Sequence, residues 1–489
     1  MSDYSTTHTC TRREALATGT AALSAVFAAT TGYSQIPRAV TSPNTPPNIL
    51  VFLADSLRAD HLGCYGYSLQ TSPHIDAMAA KSIIFEQCYS QAPWTKPSIA
   101  SLFTGYLPYI HQAVLTTWDM KNLARWDESN PFNFKIQTLR PNFTTLAELF
   151  RGLGYQTACF QWCPHCQSEF GFGQGFDQYR YVSAEAPEKQ VNAVIKWLQS
   201  KRKQPFFAFV HAIDPHGPYV PSESFYSSVF GQSPAEAQEH LTPEDLERVQ
   251  HFKLPSLRAL SPAGLHYLKT LYDAEIRGID YHFGRILNSL AETGQDNNTI
   301  IVFIADHGEA FGEHQFFKHN NSLYDEELHV PMILRIGGSK SEIRVPWNVS
   351  LYDLHPTLVA LAGGSIGENI QAKSLLNQRG ELTVHEHRPV YAYFDKNDSD
   401  TAKWEFCVIE NGSKVYDKGA GKTPEIYDRS RDPEEKENVW GKHPETDALV
   451  ETLAILREKH RILATSFGEP HYAGIDQASI EELRSLGYY

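Results

Sequence analysis

Cysteine is scarce. The chain of 489 residues holds seven, an odd number and too few for the disulfide framework of a small secreted scaffold. Long hydrophobic runs are missing as well. The Ala-rich stretch from Ala15 to Ala29 is interrupted by Thr18, Gly19, Thr20 and Ser24, so it falls short of the roughly 20 apolar residues a spanning helix needs. No later stretch is long and apolar enough to cross a membrane. Basic charge is in deficit: 43 Lys and Arg stand against 57 Asp and Glu, a net charge of −14. The overall field therefore repels polyanions, and a nucleic-acid partner is not expected, although a local basic pocket stays open. Disorder is excluded by an apolar fraction of 42% that includes 8 Trp, 24 Tyr and 26 Phe, enough to bury a sizeable core. The length suggests one large α/β domain with a smaller one beside it.

Thr11-Arg12-Arg13-Glu14-Ala15-Leu16 puts two adjacent arginines before the weakly apolar run. It reads as a twin-arginine export signal over residues 1–29. Residues 30–46, rich in Thr, Ser, Asn and Pro, read as a linker. The expected destination is periplasmic or extracellular.

Three runs read as buried parallel strands: Ile49 to Ala54, Phe206 to His211 and Thr299 to Ala305. Each is followed by an acid: Asp55, Asp214 and Asp306. Helical patterns at 191–200 and 264–292 separate them, so the plan is a mostly parallel central sheet flanked by helices. Ligands bind at the carboxyl ends of such strands, which makes all three acids candidates for one site. Beyond about residue 370 the pattern changes to short alternating strands, 390–394 and 405–409, with a hairpin turn at Asn411-Gly412 and a helix near 444–461. A catalytic domain over 47–368 and an α+β subdomain over 369–489 are expected.

Asp306-His307-Gly308-Glu309 places a carboxylate and an imidazole side by side after a strand, as metal ligation requires. Thr95 precedes a Pro-started helix in Trp94-Thr95-Lys96-Pro97-Ser98-Ile99. Its hydroxyl either lies at a positive helix end, where an oxyanion is favoured, or merely caps the helix. Cys159, Cys163 and Cys166 read as a local disulfide, with redox or zinc chemistry as the lesser reading. His211 and His355 read as structural histidines. Glu309, Glu313 and His314 are expected close behind the site.

With these residues the sequence resembles the sulfatase family of the alkaline phosphatase superfamily. The matching segments are Pro47 to Leu50 with Asp55, Gly63-Cys64-Tyr65-Gly66, Thr71 to Asp76, the stretch around Thr95, Asp214 to Tyr219, Gly278 to Asp280, Asp306 to Glu309, Ser322 to Glu326, Asp353 to Leu358, Ile426 to Asp428, and Asp432-Pro433. The resemblance implies one divalent metal ion held by Asp55, Asp306 and His307, with Thr95 at the position of the nucleophile that also touches the metal. His216 and His319 match positions that contact the ester or the leaving group. Lys318 stands beside His319, and which of the two points inward stays open.

The departures from the family pattern carry as much weight. Thr95 stands where a Cys or Ser is oxidised to formylglycine, and a secondary alcohol cannot give that aldehyde. Ile99 replaces the supporting Arg, and Ser56 replaces a second Asp. His307 replaces an Asn, which favours Zn²⁺ or Mn²⁺ over Ca²⁺. The implied activity is metal-dependent hydrolysis of an anionic ester drawn from small molecules, glycans or lipids. A one-metal site suits a phosphodiester, phosphonate monoester or sulfate better than a phosphate dianion, and the first two are slightly favoured by Thr95. Transfer to another alcohol, and a non-catalytic binding protein on the same fold, are the competing readings.

Overall fold

The computed structural model describes residues 46–114, 116–117, 135–182, 187–367, 370–383, 388–396, 400–442, 446–474 and 481. The proposed export signal lies outside them. The described residues fall within one unit, Pro37–Tyr489.

In chain order, the elements that frame the site are β1 (Asn48–Ala54), β2 (Ile83–Tyr89), α1 (Thr95–Thr104), β3 (Gln156–Gln161), β4 (Gln178–Tyr181), α2 (Pro187–Leu198), β5 (Phe206–Ala212), α3 (Pro262–Glu292), β6 (Thr299–Ala305), β7 (Met332–Arg335) and β8 (Ile343–Ser350). They build an eight-stranded sheet in the order β8-β2-β7-β6-β1-β5-β3-β4. Only β7 runs antiparallel to its neighbours. The central strands β6, β1 and β5 are buried along almost their whole length. This is why their sequences read as continuous apolar runs: with helices on both faces, neither side of the strand meets water. The long helix α3 starts where Ser261 accepts a hydrogen bond from Gly264 N and Pro262 occupies the first turn.

A second sheet, antiparallel throughout, comprises β9 (Val390–Phe394), β10 (Glu405–Glu410), β11 (Ser413–Asp417) and β12 (Glu425–Asp428). The β10–β11 turn is the expected one. Asn411 and Gly412 both have positive φ, 51° and 75°, as a two-residue hairpin demands. The expected alternation is weaker than it should be for a half-exposed strand, because β10 is covered on both faces. Phe406 and Val408 join the main core, whereas Cys407 and Ile409 pack with Tyr89, Leu323 and Tyr324. A helix over Thr446–Thr465 follows, starting two residues later and ending four later than its pattern suggested.

Candidate active site

Parallel pairing sets Ala54 beside Ala305, so the residues that follow, Asp55 and Asp306-His307, leave the sheet side by side. Their donor atoms all lie within 4.8 Å of one another, and all three residues are buried. His307 Nδ1 stands 2.9 Å from the carbonyl of Gly308. A carbonyl only accepts, so Nδ1 carries the proton and Nε2 presents a lone pair in the neutral ring. That lone pair lies 3.4 Å from Asp306 Oδ2 and 3.6 Å from Asp55 Oδ1. Asp306 Oδ2 is buried with no hydrogen-bond partner. Converging acceptors without a donor are costly in a buried site unless a cation sits among them. Two carboxylates and an imidazole fit a divalent ion of the zinc or manganese kind.

The polypeptide is bent to make this cluster. Ser56 has φ +59°, a left-handed conformation unfavourable for a residue with a Cβ. In that conformation its N–H reaches Asp306 Oδ1 at 3.2 Å and its hydroxyl donates to Asp55 Oδ1 at 2.9 Å. One residue thus orients both carboxylates. Gly308 is required for a different reason: a Cβ there would lie 2.1 Å from the Glu326 carbonyl oxygen. Burial and the Asp55 charge push Asp306 up to about 6. For Asp55, burial opposes the charge, but the hydrogen bond with His211 and the proximity of His216 hold its carboxyl well below the usual range.

Thr95 is the first residue of α1, and the helix cap is Trp94, without a side-chain bond. The capping role offered by the sequence is therefore not the one Thr95 fills. Its Oγ1 lies 3.3 Å from Asp55 Oδ2 and 3.2 Å from His307 Nε2. The helix is tied to the metal-ligand loop by Ser98, whose hydroxyl donates to the Asp306 carbonyl at 2.7 Å.

Two further histidines converge on the cluster. The His319 ring is 4.3 Å from that of His307 and 5.0 Å from that of His216. His319, then, points inward. Lys318 turns aside, its ammonium 4.4 Å above the Phe252 ring, and burial lowers its pKa. Burial also lowers His216, to about 4, and His319 well below the ordinary imidazole value, in the latter case with help from His307. Glu309 accepts from the Tyr219 hydroxyl at 2.9 Å through Oε2, and its Oε1 lies 3.2 Å from His319 Nδ1. Burial pushes it up to about 7, with His216 working against the shift.

Several expectations need correction. Asp214 does not join Asp55 and Asp306. It is turned away beside Glu275, where burial pushes it up to about 7; its loop contributes His216 instead. His211 is not merely structural, because its Nε2 stands 2.9 Å from Asp55 Oδ2 and 3.2 Å from Trp162 Nε1. The signal for it was its place near the end of β5, beside β1. His355, in contrast, is buried away from the cluster, and burial lowers it to about 4. Cys159, Cys163 and Cys166 are free thiols. Cys163 and Cys166 hydrogen-bond to each other across the turn at Pro164–Cys166, while Cys159 on β3 faces Tyr179.

A family model described as Sulfatase matches residues 47–365. The chain belongs to the sulfatase family. It is accordingly an ester hydrolase of the alkaline phosphatase superfamily. A second model, for the C-terminal region of N-sulphoglucosamine sulphohydrolase, matches residues 312–461 of this sulfatase-family chain. Among relatives, the uncharacterised sulfatase YidJ of Escherichia coli is 26% identical over 80% of this chain and 83% of its own length. Arylsulfatase K of Mus musculus is 25% identical over 82% and 77%. The fold is shared with the phosphonate monoester hydrolase of Agrobacterium radiobacter, at TM-score 0.66 and 20% identity over 85% of this chain and 96% of that one. It is shared equally with a protein solved with its substrate D-glucosamine-2-N,6-O-disulfate, at TM-score 0.67 and 21% identity over 87% and 99%. Among the described residues, no helix of this sulfatase-family protein is long and apolar enough to cross a membrane.

Proposed function

We propose that the chain hydrolyses a monoanionic ester with Thr95 as nucleophile, Asp55, Asp306 and His307 as ligands of one divalent ion, and His216 and His319 as the groups that meet the ester and its departing alcohol. The observation that carries the reading is the position of the Thr95 hydroxyl, within 3.3 Å of both Asp55 and His307 and buried among the ligand atoms. When bound there, the metal supplies a lowered hydroxyl pKa and neutralises charge on a non-bridging oxygen. The chain's own residues do the rest. Asp55 and His307 receive the hydroxyl proton, α1 directs its amino end at the developing charge, and a histidine protonates the leaving oxygen. Water then cleaves the threonyl ester.

A phosphodiester or phosphonate monoester is favoured over a sulfate, because Thr95 cannot become the aldehyde that the resemblance associates with sulfuryl transfer. The sulfate reading is kept by the match to the sulphohydrolase C-terminal region. A sugar-based alcohol is in keeping with the disulfated glucosamine held by one structural neighbour. Residues 47–368 would carry the chemistry, and 369–489 would close the site from outside. Export through Arg12-Arg13 goes with this reading; changing both to Lys should hold the protein in the cytoplasm.

Metal analysis combined with a panel of nitrophenyl sulfate, phosphodiester and phosphonate esters tests the proposal. Metal-dependent turnover, faster on the phosphorus esters, supports it. Faster turnover of sulfate would reverse the choice of ester, and inertness toward all three would point to a binding protein.

A further inference from the structure

Glu309 has no assigned role, yet it is buried against the catalytic cluster. Its two oxygens are committed to different partners: Oε2 accepts from Tyr219 at 2.9 Å, and Oε1 lies 3.2 Å from His319 Nδ1. Tyr219 is itself wedged among Phe252, Tyr272 and Phe311, with ring centroids at 5.0, 5.4 and 6.1 Å. The Arg58 guanidinium holds the Glu309 backbone carbonyl at 3.1 Å. The carboxylate is therefore fixed from both ends.

The same His319 nitrogen meets Ser56 Oγ at 3.4 Å. The single Ser56 hydroxyl proton goes to Asp55 Oδ1 at 2.9 Å, so toward His319 the serine oxygen only accepts. Both neighbours thus assign the Nδ1 position as the donor. Any proton shared between Nδ1 and Glu309 also lies on the same line, which pins this edge of the ring away from the ester. Nε2, on the opposite edge, is left for the substrate.

We infer that Glu309, held by Tyr219, is a positioning residue for His319, fixing its Nδ1–H tautomer and ring orientation so that Nε2 delivers the proton to the departing alcohol. The inference rests on the reading of this site as an ester hydrolase with Thr95 as nucleophile. In that reaction the Thr95 oxygen bonds to phosphorus or sulfur, the bond to the alcohol oxygen breaks, and that oxygen takes the Nε2 proton. Attack of water on the threonyl ester then returns a proton to Nε2 and frees Thr95. A neutral ring that keeps Nδ1–H can run this cycle repeatedly, whereas a flipped or rotated ring cannot.

The test compares two esters that share one acid group, a nitrophenyl ester and an alkyl ester. A nitrophenolate leaves with little help, whereas an alkoxide needs the proton. Glu309→Gln keeps an oxygen that can accept from Nδ1 but permits the amide to flip, and Tyr219→Phe loosens the carboxylate. The expected result for Glu309→Gln is a kcat loss of about 100-fold or more on the alkyl ester and less than about ten-fold on the nitrophenyl ester. KM and bound metal should stay at parent levels, and Tyr219→Phe should show the same asymmetry at smaller size. Equal losses on both esters, or no loss, in either folded, metal-loaded variant would overturn the positioning role while leaving the hydrolase reading in place. A parent protein inert toward both esters would overturn the hydrolase reading and this inference with it.

Discussion

Thr95 Oγ1 and His307 Nε2 face each other at 3.2 Å with the imidazole lone pair turned toward the hydroxyl. The same nitrogen faces the orphaned Asp306 Oδ2, so the pair marks the centre of a buried set of acceptors. Asp306→Asn should lower divalent-metal affinity by about ten-fold or more, measured by elemental analysis after dialysis.

Metal removal should also leave a signature in pH. Asp306 is pushed up to about 6 from an ordinary 3.8, so between those values the folded state binds more protons than the unfolded one. The metal-free protein should therefore lose stability as pH rises from about 4 to 6, as read from denaturant midpoints, and the metal-loaded protein should not. A flat profile without metal would contradict the ligand arrangement.

Ser56 separates a backbone cost from a side-chain gain. Its φ of +59° suits glycine better than any residue with a Cβ. Ser56→Ala and Ser56→Gly both remove the hydroxyl that orients Asp55, and only the second relieves the backbone. Ser56→Gly should be more stable than Ser56→Ala by about 1 kcal/mol, while both lose metal affinity. Equal stability of the two variants would show that the conformation is unstrained.

The second sheet is joined to the catalytic region through a buried lysine. Lys414 Nζ lies 3.0 Å from Asp325 Oδ1 and 2.9 Å from Glu435 Oε1, fully enclosed. Burial opposes the charge on Asp325, but Arg429 and Lys414 outweigh it and hold the carboxyl well below its ordinary value. The sign follows: this stabilisation is complete above the unfolded value of 3.8 and is lost as pH falls below it. Lys414→Met would leave two carboxylates without their cation and should cost about 3–5 kcal/mol at neutral pH. Denaturant unfolding measures this, and a change under about 1 kcal/mol would contradict it.

The central strands were legible because burial on both faces leaves no alternation to misread, and the acids at their ends follow from where such strands stop. Asp214 was not separable from Asp55 and Asp306 by that logic. All three follow apolar strands, and only the course of the next loop turns one away. His211 was missed for a related reason: a histidine inside a strand carries no spacing signature, and its contact with Asp55 exists only through parallel pairing. The thiols at 163 and 166 have the spacing of a bridge, but spacing does not specify oxidation. Ser56 was visible as a departure from the family pattern, whereas its left-handed backbone, which orients both carboxylates, required coordinates.

The account depends most on Thr95 as the atom that bonds to the ester. Peptide mass mapping of metal-loaded protein, acid-quenched during turnover of a phosphodiester, addresses this directly. The prediction is a phosphoryl-derived adduct on the peptide containing Thr95, absent from a folded Thr95→Ala protein that has lost turnover and retained in part by Thr95→Ser. An unmodified Thr95 peptide together with parent-level turnover by Thr95→Ala would contradict it.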